Sequence, residues 1–401
     1  MAAVLRMLAH LRAAPLPPRL HRRAATTHHV GLHHSHPRVC LTRAAGMVAM
    51  LGLLYEQTAL MESPLVLNRQ NTRLVPVQLR KRTTKADQQL LVSTSAVRGD
   101  RATMEDTLFV SPSHRFAAVF DGHGGAHVSR YLQAHLYDLV VSHLGPDQDT
   151  WSLDEIDARL RAAFKAADTA ILARKEWREQ GSTATAVFLI DDLIWSMNVG
   201  DSRAVLCRDG RALNLTRDHK PNDPEERQRI EDAGGKVRWH GLRDAAGKPV
   251  VDMGAYRINS NLAVARAFGD GDQRPYVCGN NCWYVSGEME LKCFRRDPKD
   301  KFIVLASDGL WDVFTSAEVV TFVKDVLSGE VGGRESWRSG SHADTSVELF
   351  EWRHKYKNDT SMIQAALTRR KEHMATYLTQ EALYRGSVDN VAVAVVWLDK
   401  I

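Results

Sequence analysis

A chain of 401 residues with 53 Lys and Arg against 48 Asp and Glu has room for one large or two small domains, and its ordinary globular composition excludes fibrous and wholly disordered classes. The formal charge of +5 is local: residues 1–55 hold seven arginines and no acid, and 53 minus seven leaves 46 bases against 48 acids from Glu56 onward. A near-neutral body gives no electrostatic ground for a nucleic-acid partner. The five cysteines (Cys40, Cys207, Cys278, Cys282 and Cys293) lack zinc-site spacing and fit a reducing compartment better than a secretory one.

In chain order, residues 1–60 read as a targeting or unstructured tail. Leu5, Leu8, Leu11 and Leu16, with Arg6 and Arg12 among them, have the pattern of a basic amphipathic address. Mitochondrial targeting is the expectation; cytoplasmic or nuclear residence is the alternative if translation begins at Met47 or Met61. The apolar stretch Ala44–Tyr55 is too short to span a bilayer, and no transmembrane span is expected. Residues 61–90, with the basic cluster Arg80-Lys81-Arg82, read as a linker, and residues 91–401 as one catalytic domain.

Short apolar runs predict strands at Leu108–Val110, Phe116–Phe120, Ala186–Ile190, Ile194–Val199, Ala204–Cys207, Phe302–Ala306 and Val391–Leu398. Helices are predicted over Val128–Leu144, Leu153–Arg174, Pro224–Ala233, Ser316–Leu327 (with Ser316 as N-cap) and, as one long element, Ser361–Tyr384. Residues 236–260 form a polar, Gly-containing flap, and residues 328–360 a polar insertion. Strands in adjacent pairs with helices gathered elsewhere predict an α+β fold of packed antiparallel sheets flanked by helices.

Acids recur where apolar runs begin or end: Glu105-Asp106, Asp121-Gly122-His123, Gly200-Asp201-Ser202, Ser307-Asp308-Gly309 with Asp312 beyond, and Asp389-Asn390. Any one alone reads as a turn, because Asp-Gly is ordinary turn chemistry. A carboxylate at the edge of a core is nevertheless costly unless its charge is compensated. Oxygen donors suit hard cations such as Mg²⁺ or Mn²⁺. Metals roughly 3.5–4 Å apart bring a water's pKa from 15.7 toward about 7, which suits hydrolysis of phosphate esters.

These segments, with Gly181-Ser182-Thr183-Ala184, Asp218-His219-Lys220-Pro221, Leu262–Asp270 and Ser387–Asn390, occur in an order that resembles the metal-dependent (type 2C, PPM-type) protein phosphatases across residues 91–400. The resemblance implies a four-layer α-β-β-α sandwich and hydrolysis of phosphoserine and phosphothreonine in proteins by a metal-activated water, without a phosphoenzyme. It implies two Mg²⁺ or Mn²⁺ ions and a weaker third. Asp121 would bridge the two, Asp308 and Asp389 would complete one, and the Gly122 carbonyl would serve the other. Glu105 and Asp106 would act largely through water, and Asp201 and Asp312 would serve the third ion. Arg101 would bind the substrate phosphate and His123 would protonate the leaving oxygen. If the preceding segment is extended, Arg101 and Glu105 share a face and Asp106 points away. Arg266 and Asp270 read as architectural, pairing with each other or with neighbours. A monomer acting on phosphoproteins is the expectation; a binding protein that keeps the fold, or a hydrolase of small phosphate esters, are the alternatives.

Overall fold

Antiparallel pairing organises the chain from Val92 to Trp397. The computed structural model describes residues 90–145, 151–274, 283–329 and 360–398, all within the unit Pro64–Ile401. The tail, all but the last linker residue, Cys40, Cys278, Cys282 and most of the insertion lie outside the described residues.

Two five-stranded sheets form the centre. One runs β1 (Val92–Val97), β15 (Val391–Trp397), β14 (Asp300–Ala306), β8 (Arg203–Arg208) and β9 (Arg211–Asn214). The other runs β13 (Glu290–Arg295), β7 (Leu193–Val199), β6 (Ala184–Ile190), β3 (Phe116–Phe120) and β2 (Thr107–Val110). Their central strands are largely apolar, and β3 and β15 are apolar at every position, because both faces are covered. Ala117 and Val119 of β3 meet Ile303 and Leu305 of β14 between the sheets. Phe116, Ala118 and Phe120, on the opposite face of β3, pack under α1 (His127–Leu144) and α2 (Leu153–Leu172). Phe302, Val304 and Ala306 turn outward to α5 (Ser316–Ser328) and α7 (Met374–Tyr384). This alternation, with period two, yields the α-β-β-α layering expected from the sequence. Each fully buried Phe or Leu contributes about 1.5–3 kcal/mol.

The helices follow their apolar spacing. Leu132, Leu136, Val140 and Leu144 line the buried stripe of α1, and Ser152 with Glu155 closes a capping box on α2. At α5 the cap is Thr315 rather than the expected Ser316, because Thr315 and Glu318 exchange side-chain and backbone hydrogen bonds. The predicted Ser361–Tyr384 helix is two elements, α6 (Thr360–Glu372) and α7, broken at His373. Tertiary partners cause the break. The Ala375 amide donates to Ser93 Oγ at 2.7 Å, and the Lys371 carbonyl accepts from the Trp397 indole at 3.2 Å. The helical bond between those two backbone groups is thereby replaced.

Two smaller sheets complete the site end. A three-stranded ribbon joins β12 (Phe268–Gly269), β5 (Gly181–Ser182) and β4 (Gly122–His123). The expected flap is a hairpin of β10 (Val237–Arg243) and β11 (Pro249–Ile258), bulged between Gly241 and Arg243. Trp239 and Tyr256 meet across it at 5.2 Å, and Val237 and Ile258 root it on Ile230 of α3 (Pro224–Asp232). No helix among the described residues is long and apolar enough to cross a membrane.

Candidate active site

Strand register gathers the acids. In one sheet Ala306 of β14 stands opposite both Arg203 of β8 and Val393 of β15. Asp308, which opens α4 (Asp308–Trp311) just past β14, Asp201 just before β8 and Asp389 just before β15 therefore share one end. In the other sheet Thr107 pairs with Phe120, which places Asp106 and Asp121 at a common end. Thr183 ties that end to the β6–β7 pair: its amide donates to the Asp121 carbonyl at 2.8 Å, and its hydroxyl accepts from the Asp121 amide at 3.1 Å.

Asp121, Asp201 and Asp308 present carboxylate oxygens all within 4.8 Å of one another. They line a cavity of about 440 Å³ together with Arg101, Glu105, Asp106, Gly122, His123 and Asp389. Burial pushes the Asp106 carboxyl up to about 7, and the charges of Asp308 and Asp389 add to this while a bond from Ser307 opposes it. Burial, then Asp106 and Asp201, hold Asp121 well above the ordinary carboxylate range. Burial, then Asp121 and Asp201, do the same to Asp308. Asp201 is raised by burial despite the nearby Lys220 ammonium. Asp106 Oδ2 and Asp201 Oδ1 are buried with no hydrogen-bond partner. A crowded set of oxygen donors, short of positive charge and holding unpartnered lone pairs, fits hard divalent cations.

The remaining expected residues take distinct places. Asp389 accepts a 2.5 Å hydrogen bond from Arg101, whose guanidinium is 59% exposed. Glu105 turns its oxygens to the Gly125 amide at 3.1 Å and the Thr103 hydroxyl at 2.8 Å, so it lines the cavity outside the tight cluster. The segment before β2 is a bend rather than an extended strand, which corrects the expectation that Asp106 points away: Glu105 and Asp106 both face the cavity. Gly122 is required by close approach, since a Cβ there would stand 2.6 Å from the Glu105 carbonyl oxygen. Asp312 stands apart with its side chain 62% exposed, and Lys220 Nζ lies between it (3.8 Å) and Asp201 (3.6 Å).

A family profile described as protein phosphatase 2C matches residues 90–391. The chain belongs to the protein phosphatase 2C family. A probable protein phosphatase 2C 59 of Arabidopsis thaliana is 37% identical over 229 residues, covering 56% of this chain and 65% of that protein. A probable protein phosphatase 2C 45 of Oryza sativa subsp. japonica is 36% identical over 258 residues, covering 63% and 82%. The match spans 65%, 63% and 61% of the length of three of the curated relatives. Among solved structures, a C. elegans sex determining protein superposes with TM-score 0.59 at 24% identity over 78% of this chain and 65% of that one. A phosphatase from a pathogenic strain of Toxoplasma gondii gives 0.50 at 23% identity, over 76% and 91%. These two likenesses concern the fold.

Four residues near the family's acids make contacts that the sequence did not specify. Of the two pairings open to Arg266, the one with a neighbour holds: its guanidinium binds the buried Glu226 at 2.5 and 2.8 Å. Asp270 meets His123, and Lys220 meets Asp201 and Asp312. At His123 burial alone would lower the imidazole pKa, but the charge and hydrogen bond of Asp270 outweigh it and hold the ring above its usual value. Arg257 of the flap also lines the cavity. No local spacing signals these contacts, which depend on register between distant segments.

Proposed function

We propose that this chain hydrolyses phosphoserine and phosphothreonine esters in proteins, with two divalent cations, Mg²⁺ or Mn²⁺, and a third bound more weakly. The observation that carries the reading is the convergence of Asp121, Asp201 and Asp308 within 4.8 Å, in a cavity walled also by a guanidinium and an imidazole. Asp121, Asp308 and Asp389, with the Gly122 carbonyl, are the groups that would hold the two cations. Glu105 and Asp106 would support the second cation, and Asp201 with Asp312 would serve the third. Bound divalent cations supply Lewis acidity and make water a nucleophile near neutral pH.

The chain's own side chains do the rest. Arg101 is mostly exposed and, among the described residues, is held by Asp389, so it can turn its fork to two oxygens of the substrate phosphate. Water attacks phosphorus directly, the ester P–O bond breaks, and His123 gives a proton to the departing serine or threonine oxygen. Asp106, buried among the other acids, would keep the second cation's surroundings polar.

The test is phosphate release from a phosphothreonine peptide by the full chain, with Mn²⁺ or Mg²⁺ and then with EDTA. Release that depends on the metal and stops with EDTA is expected. No release from folded, metal-supplied protein overturns the reading in favour of a binding role.

A further inference from the structure

His123 and Asp270 are 147 residues apart, yet the imidazole Nε2 lies 2.9 and 2.8 Å from the two oxygens of the Asp270 carboxylate. The ribbon β12-β5-β4 makes the meeting. His123 pairs with Gly181, and Gly181 pairs with Gly269, so Asp270 emerges beside the histidine across the central strand. Only glycine serves at that central position: a Cβ on Gly181 would sit 2.6 Å from Asp270 Cγ and collide with His123 Nε2 as well.

The backbone is bent to present this carboxylate. Asp270 adopts φ 48° and ψ 46°, the left-handed region that is unfavourable for a non-glycine residue. Its amide donates to the Gln180 carbonyl at 2.9 Å, and its carbonyl accepts from Gln273 at 2.9 Å. Behind it the buried pair Asp168–Arg274 locks the strand, with Asp168 accepting from the Gly269 amide at 3.1 Å and Arg274 donating to the Ala267 carbonyl at 2.6 Å. A purely structural role would have Asp270 cap the short helix Gly271–Gln273 that it opens, but its side chain makes no capping bond. Its carboxylate, 2% exposed, is spent on His123, which is 25% exposed at the cavity wall. An ionised carboxylate only accepts, so Nε2 carries the proton of this pair. Nδ1 is left without a hydrogen bond among the described residues.

We propose that Asp270 is the positioning residue of His123: it grips Nε2, fixes the ring, and leaves Nδ1 to hand its proton to the departing oxygen. The inference rests on the acid role given to His123 above. Asp270 does not itself touch the substrate.

The test uses the full chain with Mn²⁺, comparing wild type with His123→Ala, Asp270→Ala, Asp270→Asn and the double variant His123→Ala/Asp270→Ala. Each acts on a phosphothreonine peptide, whose alkoxide must be protonated to leave, and on p-nitrophenyl phosphate, whose phenolate leaves without help. Removing a general acid costs about 10²-fold or more, so His123→Ala is expected to lose that much kcat on the peptide, and Asp270→Ala at least about tenfold. On the aryl ester both losses shrink by about tenfold or more, because little proton transfer is needed. Asp270→Asn, which keeps a partner for the ring, recovers part of the peptide rate. The double variant is no slower than His123→Ala, because the two residues act as one unit. Equal losses of Asp270→Ala on both esters, or an additive double variant, overturn the proposal while leaving the acid role of His123 standing. A His123→Ala loss that ignores the leaving group removes that acid role and the proposal with it. A wild-type chain inert on both substrates overturns the phosphatase reading beneath them. If Asp270→Ala does not melt cooperatively by circular dichroism, Asp270→Asn carries the comparison, and its unselective loss overturns the proposal.

Discussion

The strands β3 and β14 hold two regions of opposite character a few residues apart. Ala117, Val119, Ile303 and Leu305 lie between the sheets in an all-apolar layer at 0–1% exposure. Beyond the same strands, Asp121 and Asp308 crowd each other with Asp106 and Asp201, all four raised by burial and most by one another's charge. The first region stabilises the fold; the second opposes it until cations arrive. A rigid layer over-determines the strand ends, and only such a layer can hold like charges within 4.8 Å.

The largest expected effect separates the two regions by activity. Asp308→Asn removes a metal donor and is expected to lower phosphopeptide turnover by about 10³-fold or more. With EDTA at pH 8 its Tm should rise, since one buried like charge has gone; a lower Tm breaks the comparison. Leu305→Ala does the reverse. It is expected to cost about 2–5 kcal/mol in denaturant unfolding, with turnover per folded molecule retained. Loss of turnover in the folded variant would mean that the two regions are not separable.

A third expectation concerns His219, which sits behind the acids with no exposure and takes the Gly200 amide on Nδ1 at 3.2 Å. Burial, and then the charge of Arg266, pushes its imidazole down to about 3. Between that value and about 6.5 the unfolded chain binds a proton that the folded chain refuses, so stability is lost as pH falls, by up to about 1.4 kcal/mol per pH unit. Wild type measured against His219→Gln isolates this slope, because the carboxylates titrate in both. Equal slopes would show that His219 does not set the acid-side loss of stability. The smallest effect is at the α5 cap. Thr315→Ala is expected to cost about 1 kcal/mol by thermal or denaturant unfolding without changing turnover.

The same contrast explains what could be read from the sequence. The central strands were legible because burial on both faces leaves unbroken apolar runs, as at Phe116–Phe120. The site carboxylates were legible because each interrupts or borders such a run. The edge strands β1, β9 and β13 and the hairpin inside the flap were not. Strand β1 mixes Ser and Thr into its pattern, and β10 is largely exposed. The break at His373 was hidden because Ser93 and Trp397, far away in the chain, supply the competing bonds. The His123–Asp270 pair was hidden for the same reason: it exists only in the register of a three-stranded ribbon. Arg101 and Asp389 are both expected site residues, but their hydrogen bond to each other could not be foreseen from spacing.

The most direct measurement is the Tm of the full chain against Mn²⁺ concentration, with Asp308→Asn alongside. Wild type is expected to start below the variant in EDTA and to climb with the cation, gaining about 2.7 kcal/mol at a hundredfold excess over Kd, while the variant gains less. A wild-type Tm that ignores Mn²⁺, or a variant that gains equally, would contradict the claim that these strand ends are built to hold divalent cations.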